Sequence, residues 1–407
     1  MRRPFRLAAI AALAVLTLSA APQATGAESA ADGGRGHKLY VPEPNPDAVR
    51  QIAGLVKTGQ YRDAARITAM IATPQAVWFG DQSPAEVEKL TRDVARDADR
   101  RDALPVFALY NVPGRDCSNY SAGGAATTAE YQAWIDAVAR GIGSRDAMVV
   151  LEPDALALLP ADCGQDDAQG TKTAARYGEV NYAVDQLEPL RGTRVYLDTG
   201  HPGWHSVNSI VPRLIKGGVE RAAGFYTNAS NYFTDDANSW YGKLISSCIA
   251  YVEKSSGDAA DCPNQWTPHA DAQAWIDAHV RVPASRMAHF VTDSSRNGRG
   301  PWTPPAGKYT DAQDWCNPPD RGLGARPTLL TGDPSPSSRT TSSRGDPIQD
   351  ARLWIKTPGE SDGLCLRGTA GPEDPERGTV DPKAGDWFQQ QALELARYAN
   401  PPLLSAK

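Results

Sequence analysis

Seven short apolar runs recur along the chain, at Ala76–Phe79, Leu104–Tyr110, Ala147–Leu151, Arg194–Asp198, Ala223–Tyr226, Ala288–Thr292 and Leu353–Ile355, with amphipathic stretches between several of them. No other feature constrains the fold as tightly. Ser83-Pro84-Ala85-Glu86 sets an N-cap serine, a proline at N1 and a capping-box glutamate ahead of one such stretch. Thr127 and Glu130 repeat the box before a helix over Tyr131–Arg140. Strand, helix, strand in sequence demands parallel strands with crossover helices, and near-continuous apolar strands suit burial on both faces. An α/β fold follows. A closed barrel and an open doubly wound sheet share this rhythm, which does not choose between them.

Two stretches interrupt it. Cys248–Pro268 carries its own cysteine pair and reads as a stapled surface excursion, and Pro334–Arg344 is a Ser/Pro/Thr-rich flexible loop. The alternation then resumes with Leu353–Ile355 and a helix from Asp386 to Ala399, so the segment is a loop within a single domain rather than a linker. We find no internal repeat and no separate binding module.

The N-terminus has Arg2, Arg3 and Arg6, an apolar run from Leu7 to Leu18, and small residues around Ala21 to Ala27. A charged head, a short apolar core and a small-residue exit read as a secretory signal peptide over residues 1–27. The core is shorter than the ~20 apolar residues a span needs, so no membrane anchor is expected after cleavage. Residues 28–39 read as a disordered lead. The net charge of −6 offers no basic field for nucleic acid. Six cysteines in an exported chain suggest three disulfides, and the lack of any C-x-x-C pair disfavours zinc and thioredoxin-like chemistry.

Carboxylates cluster at strand ends. Asp116 lies beyond the second run, Glu152 and Asp154 follow the third, Asp198 ends the fourth, Asp293 follows the sixth, and Glu360 and Asp362 follow the last. In parallel α/β folds the loops after the strands converge on one face, where active sites sit. Any one of these residues could equally be a helix N-cap. Their recurrence beside Gly, Pro and aromatic residues points to a shared rim, on which like charges would keep one carboxyl protonated, as a general acid requires.

The segment Ala108–Cys117 (ALYNVPGRDC) resembles the Y-x-x-P-x-R-D-C signature of glycoside hydrolase family 6, and Val149–Asp154 (VVLEPD) resembles its second signature. Similar matches follow in order at Leu197–His201, Thr292–Gly298, Trp315-Cys316 and Trp354–Gly363. The resemblance covers Tyr40 to the C-terminus. It implies a distorted seven-stranded parallel β/α barrel forming one catalytic domain over residues 40–407, with insertions near 248–268 and 334–344. It also implies inverting hydrolysis of β-1,4-glucan by a secreted monomer without cofactor or metal.

Residue by residue, the resemblance makes Asp154 the general acid, Asp116 the carboxylate that keeps it protonated, and Asp362 the base, acting through water. Tyr110 would press on the sugar at the cleaved position. Arg115 and Asp198 would support the site, Asp198 holding Arg115 or the substrate. The family's water-holding serine falls on Ser121 or on the adjacent Ala122. Trp78, Trp204 and Trp315 match sugar-stacking positions, where an aromatic ring covers the apolar sugar face. His201, Asn228, Asn231, Lys356 and Glu360 match polar contacts. Trp134, Trp275 and Trp387 lie in helical patterns and read as core, while Trp302, in a Gly/Pro loop, fits either role. Pro202 and Gly203 break the helix that a His201–His205 metal pair would need. By the resemblance Cys117 pairs with Cys163 and Cys316 with Cys365, leaving Cys248 with Cys262. Loop lengths favour an endo-acting enzyme. An exo-acting cellobiohydrolase or a glucan-binding protein without activity are the alternatives.

Overall fold

The computed structural model describes residues 38–330 and 346–405. The expected leader (1–27), most of the lead, and the Pro334–Arg344 loop lie outside the described residues. The strands are β1 (Lys38–Leu39), β2 (Val77–Phe79), β3 (Ala103–Leu104), β4 (Val106–Leu109), β5 (Ala147–Leu151), β6 (Thr193–Asp198), β7 (Gly224–Thr227), β8 (His289–Asp293), β9 (Thr328–Leu329) and β10 (Gln349–Leu353). The helices are α1 (Pro46–Lys57), α2 (Tyr61–Ile71), α3 (Pro84–Arg100), α4 (Thr128–Ile142), α5 (Thr171–Leu187), α6 (Val207–Lys216), α7 (Asp235–Ser255), α8 (His269–His279) and α9 (Gln389–Arg397).

The main sheet runs β2-β4-β5-β6-β7-β8-β10-β9, parallel throughout except for the antiparallel edge pair β9–β10. Each parallel strand is added beside its predecessor with no reversal of direction, which is barrel winding rather than the doubly wound alternative. The two ends of the seven-strand run meet: Ala76 N donates to Trp354 O at 2.9 Å and Trp78 Nε1 to Ile355 O at 2.7 Å. The expected seven parallel strands are therefore present, with β9 as an added eighth.

Alternation along each strand divides the core. Ala108, Met148, Val150, Tyr196, Tyr226, Val291 and Ala351 form the inner cluster, while Phe107, Leu109, Val149, Leu151, Val195, Leu197, Phe225 and Phe290 belong to the outer cluster with the helices. Helix starts follow the sequence signals. Ser83 N donates to Glu86 Oε2 at 2.9 Å, completing the box of α3. At α4 Thr127 caps Glu130 N, but the Glu130 carboxylate reaches back to Ala126 N instead of Thr127 N.

Three boundaries differ from expectation. The last two residues of the expected lead, Lys38–Leu39, form a strand that pairs with Ala103–Leu104. The last barrel strand is Gln349–Leu353, upstream of the apolar Leu353–Ile355. Its polar residues are buried at satisfied positions: Tyr196 Oη donates to Asp350 at 2.8 Å, and Gln349 Nε2 donates to Thr292 Oγ1 at 3.2 Å. Apolar content alone therefore misplaces this strand. Cys248 lies buried within α7, which continues to Ser255, so the stapled excursion starts later than its cysteine. All three disulfides join the expected partners: Cys117–Cys163, Cys248–Cys262 and Cys316–Cys365. The described residues lie in one compact unit. No helix among them is long and apolar enough to cross a membrane.

Candidate active site

The loops following the strands enclose a cleft of about 970 Å³. Its floor carries Tyr110, Asp116, Asp154 and Asp198, and its walls include Asn231, Lys356, Glu360 and Asp362. Asp154 lies early in the turn after β5, with φ +70°, and receives the Tyr110 hydroxyl at 3.1 Å on Oδ2. Burial, reinforced by the charges of Asp198 and Asp116, pushes its carboxyl well up from the usual carboxylate range. Asp116 has φ +58° in the turn before Cys117, is raised chiefly by burial, and accepts Ser121 N at 2.7 Å. The Cys117–Cys163 bridge ties this turn to the loop after Asp154.

Asp198 does not hold Arg115. Its oxygens accept Gly200 N at 2.9 Å and Ala157 N at 3.0 Å, which fixes the backbone just past Asp154. Arg115 instead donates to Tyr110 O and Ser121 O, lies 4.9 Å from the Tyr110 ring centre, and pairs with Asp81 at 2.9 Å. It thus braces the tyrosine and the Asp116 loop together.

Asp362 sits among cations. Both its oxygens accept from the fully buried Arg296, at 2.7 and 3.0 Å, and Lys356 Nζ lies 3.3 Å away. Asn317 N donates to it at 3.0 Å and the Tyr232 hydroxyl at 3.4 Å. Burial would raise this carboxyl, yet the Arg296 and Lys356 charges outweigh it and hold the group below the usual range. Asp362 and Asp154 are therefore pushed in opposite directions, one ionised and one protonated near neutrality. Arg296, Tyr232 and Asn317 escaped the residue reading. Arg296 lies within the Thr292–Gly298 match, and the need of a buried carboxylate for a cation could have found it.

The aromatic residues line the cleft as expected. Trp78 meets Tyr110 edge-on at 5.8 Å, while Trp204 and Trp315 are 37% and 36% exposed. His201 stacks on Phe233 at 4.8 Å, and burial lowers its pKa to about 3, so it is a neutral hydrogen-bonding group. His205 bonds Ala157 O instead of converging with it on a metal. Among the described residues one trio, Cys365, Asp374 and Asp381, has metal-like spacing, but the cysteine is disulfide-bonded and Asp374 is engaged by Arg367.

Several expected site residues serve the scaffold instead. Asn228 is fully buried and outside the cleft lining. Its amide donates to Asp293 O at 2.8 Å and its oxygen accepts Phe233 N, so its polar groups are spent on the β7 and β8 loops. Asp293 accepts Ser230, Ser295, Ile355 and Lys356 backbone amides. Glu152 accepts Asn111 N and Val112 N, with its carboxyl pushed by burial up to about 7. Glu360 does line the cleft, raised by burial against the opposing Lys356 charge. Ser121 and Ala122 both line it too. Trp387 precedes α9 rather than lying in it and is buried, Trp134 is buried in α4, and Trp302 packs under the Arg367 guanidinium at 4.8 Å.

A barrel-top cleft walled by aromatic planes, with one protonated carboxyl and one ionised carboxylate held apart by their surroundings, is the equipment of a glycoside hydrolase. The model of the family described as Glycosyl hydrolases family 6 matches residues 34–399, and the chain belongs to that family. It is 35% identical over 340 residues to endoglucanase A of Cellulomonas fimi, covering 83% of this chain and 57% of that enzyme. It is 33% identical to endoglucanase 1 of Streptomyces halstedii, covering 91% of this chain and 95% of that enzyme. Among solved structures, the endoglucanase Cel6 from Mycobacterium tuberculosis, in complex with methyl-cellobiosyl-4-deoxy-4-thio-β-D-cellobioside, superposes with a TM-score of 0.64 at 34% identity, covering 89% and 97% of the two chains.

Proposed function

We propose that this chain is a secreted endo-acting β-1,4-glucanase that cleaves with inversion at the anomeric carbon. The observation that carries the reading is Asp154, hydrogen-bonded by Tyr110 and raised by burial among acidic neighbours on the cleft floor. The glycosidic oxygen is a poor leaving anion, so transfer of the Asp154 proton as the C–O bond breaks removes much of the barrier. Tyr110 supports a distorted sugar ring at that point, and Asp116 keeps the acid charged with its proton. A water attacks the opposite face of the ring and passes its proton through further water toward Asp362. Held by Arg296 and Lys356, Asp362 is a weak base on its own, which suits relay through water better than direct abstraction. The endo mode is supported by the endoglucanases named above, and export by the leader-like N-terminus and three disulfides.

One contact favours exo action as the second reading. The Tyr120 hydroxyl, on the Asp116 loop, receives Leu366 N at 3.0 Å and donates to Gln313 at 3.1 Å, joining loops that also line the cleft. Paired viscosity and reducing-sugar assays on carboxymethyl cellulose separate the two, with Asp154→Ala as control. The expected result is a steep viscosity drop per bond cut, lost in the variant. Sugar release with little viscosity change would establish exo action, and no release while cello-oligosaccharides still bind would leave a binding protein.

A further inference from the structure

The segment from Leu364 to Gly385 turns its charges inward. Arg367, Asp374 and Asp381 are all buried. Arg367 pairs with Asp374 at 2.9 Å and donates to Ala312 O, Gln313 O and Cys316 O, stitching the segment to the loop after β8. The Cys316–Cys365 bridge joins the same two loops. Between them sits Asn317, with φ +38°. Its backbone N–H donates to Asp362 Oδ2 at 3.0 Å, and its side-chain oxygen accepts Asp362 N at 2.8 Å and Gln391 Nε2 at 2.8 Å. Its amide nitrogen donates to Asp381 Oδ2 at 2.7 Å and to Gly363 O at 3.0 Å, and Arg377 Nε holds its carbonyl at 3.0 Å.

We propose that Asn317 and Asp381 are positioning residues for Asp362: Asp381 grips the Asn317 side chain, and Asn317 holds Asp362 in its orientation at the cleft. Asn317 meets Asp362 twice, so rotation of its side chain would release one contact and tilt the other. Asp381 Oδ1 is buried without a hydrogen-bond donor, and an Asp374 oxygen lies within 4.8 Å of the Asp381 carboxyl. Burial, with the Asp374 charge added, pushes Asp381 upward against the Asn317 hydrogen bond and the Arg377 charge. These, with Arg367 beyond Asp374, are the charged groups that face it. Ionising Asp381 makes it a stronger acceptor for the Asn317 amide and tightens that grip, while placing a second charge near the Arg367-paired Asp374. The inference rests on the reading of Asp362 as the acceptor of the water's proton.

The test compares Asp362→Asn, Asp381→Ala and Asp381→Asn on a soluble cello-oligosaccharide across pH 6–9. Asp362→Asn should abolish most of kcat. Asp381→Ala should lower kcat about tenfold with KM little changed, since a misplacement of 1 Å can cost ~100-fold. Asp381→Asn keeps an acceptor for Asn317 and imitates the protonated acid, so it should retain more than half of kcat at pH 6. It cannot ionise, so the ratio of wild-type to Asp381→Asn kcat should rise with pH as the wild-type carboxylate tightens its hold on Asn317. That ratio also serves should Asp381→Ala not fold, and a flat ratio overturns the proposal. Wild-type kcat in Asp381→Ala, or equal losses in both Asp381 variants, overturns it too. Full activity in Asp362→Asn would sink the reading of Asp362 and this inference together, whereas loss there with none in Asp381→Ala sinks only the latter.

Discussion

Replacing Tyr110 with phenylalanine should move the alkaline limb of the pH–activity profile upward, because the residue touches the proposed acid. The Tyr110 hydroxyl donates to Asp154 Oδ2 at 3.1 Å, a bond that favours the ionised carboxylate and so pulls its pKa down against burial. Hydrogen bonds to charged groups contribute about 1.5–3 kcal/mol, and at this length the low end applies, because charge-assisted O–H···O pairs are strongest near 2.5–2.7 Å. At about 1.4 kcal/mol per pKa unit, Tyr110→Phe should raise Asp154 by about one unit. A general acid must be protonated, so in the proposed role of Asp154 the limb on which kcat/KM falls with rising pH should shift about one unit upward. The ring remains to pack on Trp78 and Arg115, so the fold should be kept. The assay is kcat/KM against pH on a soluble chromogenic cello-oligosaccharide, with the midpoint of the alkaline limb as readout. A midpoint that stays put or moves downward would refute the assignment of that limb to Asp154, whatever happens to the rate at the optimum.

Other outcomes follow from the same geometry. Arg296→Met leaves Asp362 buried with Lys356 as its remaining cation, and breaking such a pair costs about 3–5 kcal/mol, to be read as a lowered denaturant midpoint. Removing Cys248 and Cys262 together, both to serine, opens a short loop and should cost up to about 3 kcal/mol of stability, with the alkaline limb of activity unmoved. At the base of the barrel burial would lower His289, but its 2.7 Å contact with Asp350 raises it overall. A raised folded-state pKa adds stability that is full below the unfolded value and fades as pH climbs through the folded one. Thermal unfolding of His289→Gln beside wild type should therefore show the variant's deficit shrinking from pH 6 to pH 8, and a deficit independent of pH would contradict the pairing.

Local features were legible because they depend on neighbours in sequence. The apolar runs located six of the seven barrel strands to within a residue or two at most ends, and Ser83 and Glu86 marked the start of α3 without error. The placement of Tyr110, Asp116 and Asp154 on the cleft was legible too, because they follow apolar strands within recognisable segments. The strand at Gln349–Leu353 was not, since its buried Gln349 and Asp350 are tolerated only through partners on β6 and β8. The meeting of the sheet's two ends was equally hidden: Ala76 and Trp354 lie far apart in sequence, and their hydrogen bond links those ends.

The division between the proposed acid and the scaffold carboxyls shows the same limit. Asp154, Asp293 and Glu152 all follow apolar strands and look alike in sequence. Asp293 and Glu152 are engaged by backbone amides from distant loops, whereas Asp154 receives a single phenol and faces other acids across the cleft. What the chain determined by itself was the order of its elements and which residue types stand at the strand ends. What only the tertiary structure decided was each carboxyl's proton affinity, because that is set by burial and by donors and charges that folding brings from elsewhere.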